Sequence, residues 1–280
     1  MEPIEVDELQ NKADMLRLAT LDLCVGAQKG HLTSAFSCAE LLTALYYGKV
    51  LRYDPKKPKW EDRDRLFISK GHASPLLYSI LKDLGFIPAD YLEDFCKTDK
   101  LGVHLQSNVP GVENTVGSLG HGLGVAAGMA LGAKMDRKDY YSFVLLSDGE
   151  CCEGSIWEAA MFAGHHRLNN LIAIVDRNYM TATDFTENSV GLTPLDKKFE
   201  AFGWEVKKIK GHSISEILSC FEGIRSFRRM TPFVIIADTV KGKGVNLSEN
   251  KPAWHARVPK IEDAEVWRNE IRTVKGVCHE

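Results

Sequence analysis

Phe143-Val144-Leu145-Leu146-Ser147-Asp148-Gly149-Glu150 and Leu171-Ile172-Ala173-Ile174-Val175-Asp176-Arg177-Asn178 decide the fold of this chain. Each is a short apolar run that ends in polar residues, and a helix-like stretch from Glu153 to Leu168 lies between them. Two parallel strands joined by a crossover helix bring both strand ends to one sheet edge, where open α/β sheets bind ligands. A carboxylate from Asp148 and an amide oxygen from Asn178 would meet there, beside a glycine, Gly149, that admits close backbone approach. That donor set suits Mg²⁺ or Ca²⁺ holding a diphosphate. Spacing alone leaves a second reading open, a capping Asp and a turn Asn, since both are common after strands.

The flanking sequence extends the same architecture. Leu9, Ala13, Leu16, Ala19 and Leu23 recur at helical spacing and predict an opening amphipathic helix. Ser37-x-x-Glu40 before Leu41, Leu42 and Leu45 reads as a capping box that starts a second helix. Asp54 to Trp60, with its prolines and lysines, reads as a loop. Leu66-Phe67-Ile68 reads as a buried strand ending at Ser69-Lys70-Gly71-His72, with a helix from Pro75 to Leu84 stopped by Gly85. Residues 98–118 are rich in glycine and weakly periodic, which predicts a long loop. Gly124, Gly128 and Gly132, with alanines between, predict a closely packed helix. Further strands are expected at 142–146, 171–175, 204–209 and 233–237, with a helix over 213–229. Strands alternating with helices define a doubly wound, mostly parallel α/β sheet with helices on both faces. No repeat or linker divides the chain, so residues 1–280 read as a single domain.

Composition narrows the class of function. The chain has 280 residues, a net charge of −3 and 26% charged residues, which fits a soluble globular protein able to bury a full core. Without bulk basic character, nucleic acid is a poor partner. No apolar stretch reaches about eighteen residues, so no membrane span is expected. The acidic N-terminus lacks a signal-peptide core. Seven cysteines, with no C-x-x-C, do not make a disulfide framework, and a reducing cytoplasm is the expected setting. Cys151-Cys152 reads as two free thiols beside the ligand edge, with a redox switch as the sharper alternative.

Four histidines stand in loop or glycine-flanked contexts: His31, His72, His104 and His255. Imidazoles so placed can exchange protons near neutral pH. His165, His166 and His279 read as bland, and no spacing supports a zinc site. Gly117-Ser118-Leu119-Gly120-His121-Gly122-Leu123-Gly124 fails as a dinucleotide fingerprint, because no strand precedes it and Val125 takes the third glycine slot. Lys241-Gly242-Lys243-Gly244 lacks the hydroxyl of a nucleotide-binding P-loop, and no Gly-x-Ser-x-Gly elbow is present.

Taken in order, these segments resemble the N-terminal, diphosphate-binding domain of transketolase. The resemblance runs through Gly30-His31, Asp62-Arg63-Asp64-Arg65, Ser69-Lys70-Gly71-His72-Ala73, Pro110-Gly111-Val112-Glu113 and Gly117-Ser118-Leu119-Gly120. It continues through Asp148-Gly149-Glu150-x-x-Glu153-Gly154-x-x-Trp157-Glu158-Ala159-Ala160, Phe202-Gly203-Trp204, Gly211-His212 and Thr239 to Val245. It implies thiamine diphosphate as cofactor, with Mg²⁺, or Ca²⁺ or Mn²⁺, held by Asp148, Asn178 and the backbone carbonyl of Met180. It implies that Gly149 and Glu150 lie at the diphosphate and that Gly117 and Leu119 lie under the aminopyrimidine. His31, His72, His104 and His255 match active-site histidines, with His72, His255 and Asn178 also touching the cofactor. Glu153 and Glu158 resemble carboxylates of the subunit interface. The implied reaction moves a two-carbon glycolaldehyde unit from a ketose, or ketose phosphate, to an aldose, or aldose phosphate.

The sequence also departs from that pattern. Ser147 replaces the first glycine of Gly-Asp-Gly, Gly30-His31-Leu32-Thr33 and Gly102-Val103-His104-Leu105 replace Gly-His-Pro loops, and His121 stands where glutamine is common. These changes reshape the substrate channel and put the usual sugar phosphates in question. Arg177 is a weak candidate for reading phosphate, the blander reading being a solvent-facing arginine. The likeness ends near Trp267-Arg268-Asn269, short of the pyrimidine-binding and C-terminal domains. The expectation is that a separate chain carries these domains and the activating glutamate, in an α2β2 assembly. Two alternatives stay open: a related thiamine enzyme with a non-standard donor or acceptor, and a catalytically dead regulatory chain.

Overall fold

The computed structural model describes residues 5–98, 101–225 and 229–273. Five strands form one sheet in the order β1-β2-β3-β5-β4, every neighbouring pair parallel. The strands are β1 (Arg65–Ile68), β2 (Ser142–Ser147), β3 (Leu171–Arg177), β4 (Glu205–Lys210) and β5 (Phe233–Asp238). All five fall within a residue or two of the apolar runs that predict them.

The main helices are α1 (Val6–Ala27), α2 (Leu32–Phe36), α3 (Ala39–Tyr47), α4 (Ser74–Asp83), α5 (Gly122–Met135) and α6 (Gly154–His165). They continue as α7 (Thr186–Ser189), α8 (Leu195–Ala201), α9 (Ile214–Ser219) and α10 (Ala264–Thr273). Residues of the central strands are buried almost without break, because successive side chains feed two different cores. Phe143, Leu145, Ile172 and Ile174 face the layer of α1, α3, α4, α9 and α10, whereas Val144, Leu146, Ala173 and Val175 face α5, α6 and α8. Edge strand β4 buries only Ile209 and carries lysines at 207, 208 and 210, a charged border that discourages further strand pairing.

The order of the strands explains where a site can form. From β1 through β2 and β3 to β4 the chain moves one way across the sheet, then β5 returns to the slot between β3 and β4. Right-handed crossovers place α5, α6 and α8 on one face and α9, after the reversal, on the other. The crevice beyond the carboxyl ends of β1, β2, β3 and β5 is the topological switch point of such a sheet.

Two local expectations are corrected. Ser37 and Glu40 do not form a capping box: α3 starts at Ala39 after Cys38, with no side-chain cap. Tertiary partners take both side chains instead. Ser37 Oγ donates to Asp176 at 2.6 Å, and Glu40 accepts from Arg17 at 2.5 Å and meets His212 Nδ1 at 2.9 Å. The helix expected over 213–229 ends as α9 at Ser219, followed by turns to residue 225, and residues 226–228 lie outside the described residues.

Candidate functional site

At the ends of β2 and β3 the sheet pairing runs on past the strands, with Asp148 N donating to the Asp176 carbonyl at 3.2 Å. This fixes Asp148, Asn178 and the following loop against one another. Asp148 is fully buried. Its Oδ1 accepts from Gly149 N at 2.7 Å and its Oδ2 from Tyr179 N at 2.5 Å, with Arg177 Nη1 at 3.3 Å. Burial, then the neighbouring Asp176 charge, raises the Asp148 carboxyl to about 6, against the opposing pull of Arg177 and the two backbone N–H groups. Asn178 is 2% exposed, and its Oδ1 accepts from Met180 N at 3.2 Å. The Met180 carbonyl faces Gly149, since a Cβ on that glycine would stand 3.4 Å from it.

These residues fit a hard divalent cation. A carboxylate, an amide oxygen and a carbonyl are the ligand chemistry of Mg²⁺ or Ca²⁺, and the buried carboxylate lacks a fully compensating charge. Gly149 lets the loop at 180–181 lie close against the end of β2, where an added Cβ would already touch the Met180 carbonyl and Thr181 Cα.

Glu150 works from behind this edge. It is fully buried, and its carboxylate accepts from Ser69 Oγ, from Gly120 N at 2.8 Å and from Ser147 N at 3.2 Å. Its backbone N–H donates to Ser147 Oγ at 3.2 Å. Glu150 therefore ties the Gly117–Gly120 stretch to the ends of β1 and β2, with its own polar groups turned inward. Two glycines make that junction sterically possible. Gly120 has φ of +90°, and a Cβ on Gly122 would lie 2.3 Å from Ser69 Cβ. Leu119 and Ser147 line the cleft, and an added Cβ on Gly117 meets nothing within 4 Å. Ser147 keeps φ out of the positive range, so it fits without strain where a glycine was expected.

The four loop histidines converge on the same edge. His31 lies 4.5 Å from His72, 5.6 Å from His104 and 5.4 Å from His255 between ring centroids, and His72 lies 4.8 Å from His255. Ring nitrogens of His31, His72 and His255 fall within 4.8 Å of one another. The expectation that these imidazoles are poised near neutrality is corrected for three of them. Burial first, then the neighbouring histidines and lysines, lowers His31 to about 4, His72 to about 2 and His255 to about 3. In the chain alone they are neutral at physiological pH. His31 Nδ1 and His104 Nδ1 are buried without a hydrogen-bond partner among the described residues.

Lys70 and Lys241 sit within motifs legible in the sequence, which assigned them no role. Both line the cleft. Lys70 is 1% exposed and donates to the Ser34 carbonyl at 2.7 Å, to Ser37 Oγ at 2.9 Å and to Asp176. Asp176 also accepts from Thr239. Lys241 donates to the Thr181 carbonyl at 2.7 Å and lies 3.0 Å from His255 Nδ1. The available signal was position: each lysine closely follows a strand end that feeds the switch point.

Arg177 is 3% exposed, which corrects the reading of a solvent-facing arginine. It meets Asp148, Thr186 and Glu187 behind the cleft. Cys151 is buried and Cys152 half-buried, and burial raises both thiols, so neither is activated. Glu153 and Glu158 are exposed, with no ion pair among the described residues. No helix among them is long and apolar enough to cross a membrane.

A parallel sheet whose carboxyl edge gathers an oxygen donor set, a glycine cradle and clustered imidazoles belongs to the diphosphate-binding α/β class. Residues 9–273 match the family described as "Transketolase, thiamine diphosphate binding domain". The chain belongs to the transketolase family and supplies its thiamine diphosphate-binding domain. It is 40% identical over 271 residues to one of the named subunits of the apulose-4-phosphate transketolase of Phocaeicola vulgatus, covering 96% of this chain and 94% of that one. It is also 40% identical over 253 residues to 6-deoxy-6-sulfo-D-fructose transketolase subunit SqwG of a Clostridium species, covering 89% and 90%. The crystal structure of transketolase from Campylobacter jejuni superposes with a TM-score of 0.88 at 32% identity, over 95% of this chain and 43% of that one. The chain thus spans less than half of that transketolase.

Proposed function

We propose that this chain is the diphosphate- and metal-binding subunit of a two-chain transketolase that moves a glycolaldehyde unit from a ketose to an aldose. The observation that carries this reading is the Met180 carbonyl facing Gly149, in a loop that Tyr179 N ties to Asp148 and Met180 N ties to Asn178, on the same sheet edge as His31, His72, His104 and His255.

Asp148, Asn178 and the Met180 carbonyl would hold Mg²⁺, or Ca²⁺ or Mn²⁺, and Gly149, which carries no side chain, would let the diphosphate approach the backbone beside them. Bound thiamine diphosphate supplies the carbon nucleophile and the electron sink for cleaving and re-forming the C–C bond. His31, His72, His104 and His255 would bind donor and acceptor hydroxyls and move protons at their oxygens. Three of these imidazoles start neutral, so each can accept at one nitrogen while donating at the other.

A separate subunit would bring the pyrimidine-binding domain and the activating glutamate, with α2β2 as the expected assembly. Support comes from relatives named as transketolase subunits that this chain matches almost end to end. It also comes from the outer face of α5 and α6. There Val125, Met161 and Phe162 are exposed beside Gly124, Gly128 and the carboxylates of Glu153 and Glu158. We read the setting as cytoplasmic, a reading that agrees with the free cysteines of the described residues.

The names of these relatives favour a second reading of the substrate, a sugar other than the common pentose and hexose phosphates. Ser147 and the altered histidine loops at 30–33 and 102–105 are where such a preference would be written. The experiment is reconstitution of the chain, with and without its partner, with thiamine diphosphate, Mg²⁺ and a panel of ketose donors. Turnover is expected only from the pair, and full activity from this chain alone would refute the two-subunit reading. Asp148→Ala in the pair is expected to abolish metal-dependent cofactor binding in calorimetry, and unaltered binding would refute the metal assignment.

A further inference from the structure

Lys241 lies in the turn after β5 and is 2% exposed. Its Nζ is fixed from two sides, by the Thr181 carbonyl at 2.7 Å and by His255 Nδ1 at 3.0 Å. An ammonium group has three hydrogens and no lone pair, so it can only donate. Burial, then the Lys70 charge, lowers Lys241 to about 8, so at pH 7 it is mainly the ammonium form and the ring nitrogen it meets accepts. A neutral imidazole that accepts at Nδ1 carries its hydrogen on Nε2. Burial and the adjacent Lys241 charge keep His255 in the neutral form that this argument requires.

We propose that Lys241 is a positioning residue that locks His255 as the Nε2–H tautomer, so that this imidazole meets a substrate or cofactor as a hydrogen-bond donor. His31 and His104 have no such lock, because the Nδ1 of each is buried without a partner among the described residues. The cluster is thereby divided. His255 donates to a developing or resident oxygen charge, while no lysine fixes the tautomer of His31 or His104 through Nδ1. Lys70 does not compete for His255, because its three donors are taken by Ser34, Ser37 and Asp176. The Thr181 carbonyl directly follows Met180, so Lys241 also links the metal-side loop to the histidines.

The functional consequence rests on reading the cleft as a transketolase site, but the tautomer is a property of the chain by itself. The test uses the full chain labelled with ¹⁵N-histidine at pH 7 and long-range ¹H–¹⁵N correlation. The His255 signals are identified by their loss in His255→Gln. The wild-type chain is expected to show a single Nε2–H pattern for His255. Lys241→Met is expected to shift that pattern to an average of both tautomers, and Lys241→Arg to restore it. An Nδ1–H pattern in the wild-type chain overturns the proposal, as does an unchanged Nε2–H pattern in folded Lys241→Met. If Lys241→Met does not fold, the wild-type and Lys241→Arg spectra still decide: Nε2–H in both supports the lock, and any other result overturns it. Turnover does not enter this readout, so a reconstituted pair without transferase activity would count against the functional reading alone.

Discussion

The Arg177 guanidinium stands 3.3 Å from the Asp148 carboxylate, and the two side chains are both almost fully buried. The proposed metal ligand is therefore already neighboured by a cation, which reaches on to Glu187 at 2.8 Å and anchors the loop that follows β3. Removing one member of a buried charge pair costs about 3–5 kcal/mol, because the other charge stays buried alone. Arg177→Met is expected to lower the stability of the metal-free chain by that order in urea titrations. Saturating Mg²⁺ should recover more stability in the variant than in the wild type, since the metal charge stands in for the lost guanidinium. An equal deficit with and without Mg²⁺ would show that the cation site does not involve Asp148.

Glu150 gives a different kind of dependence. Its carboxylate satisfies a hydroxyl just beyond β1 and two backbone N–H groups, from β2 and from the loop before α5. Glu150→Ala leaves these donors buried without an acceptor, at about 1–3 kcal/mol for each group that water cannot reach. The variant is expected to lose several-fold in thiamine diphosphate affinity along with stability, because the Gly117–Gly120 stretch is no longer tied to the strand ends. Glu150→Gln keeps one acceptor oxygen and should fall between the two. Full cofactor affinity in a destabilised Glu150→Ala chain would separate this tie from the site.

Which parts of this site were readable from sequence follows from the range of the interactions involved. The strands and the Asp148–Asn178 edge depend on short apolar runs and on strand-end chemistry, both written locally. The histidines were legible as loop imidazoles, but their convergence within 4.5 to 5.7 Å depends on four separate segments meeting. Their lowered basicity was not legible, because it arises from that meeting. Ser37 and Glu40 carried a correct local cap signature, and distant partners, Asp176, Arg17 and His212, outbid it. The helix expected over 213–229 was overextended for another reason. Phe221 and Ile224 keep the apolar spacing and are buried, yet the backbone there has already left the helix. Periodicity reports which residues face the core, not which carbonyls accept. Arg177 read as solvent-facing because nothing nearby in sequence shows that Asp148 and Glu187 close around it.

The neutral histidines give the chain a defined response to acid. His31, His72 and His255 have folded-state values of about 4, 2 and 3, all below the unfolded value near 6.5. The unfolded chain thus binds more protons, and stability is lost as pH falls below about 6.5 toward these folded values. At pH 5 the unscreened linkage is roughly 2 kcal/mol per imidazole. Discounted for partial exposure, the three together should contribute about 3 kcal/mol. Urea titrations at pH 7.5 and 5 are expected to show a smaller acid-induced loss for His72→Gln than for wild type, the carboxylate contributions cancelling in the comparison. An identical loss in both would mean that His72 is already protonated in the fold.

Gly149 separates binding from folding most sharply. Its φ is not positive, and an added Cβ would stand 3.4 Å from the Met180 carbonyl and from Thr181 Cα, ordinary contact distances. Gly149→Ala should therefore fold with a stability change within about 1 kcal/mol, the scale on which a glycine and an alanine differ where both conformations are allowed. The methyl group would nevertheless stand beside the 180–181 loop at the β2 end, where the diphosphate and its metal are proposed to lie. Thiamine diphosphate affinity in the presence of Mg²⁺ is expected to fall at least tenfold by calorimetry, corresponding to about 1.4 kcal/mol. Metal binding without cofactor should change far less, because Asp148, Asn178 and the Met180 carbonyl keep their positions. Undiminished cofactor affinity in Gly149→Ala would place the diphosphate elsewhere along the sheet edge.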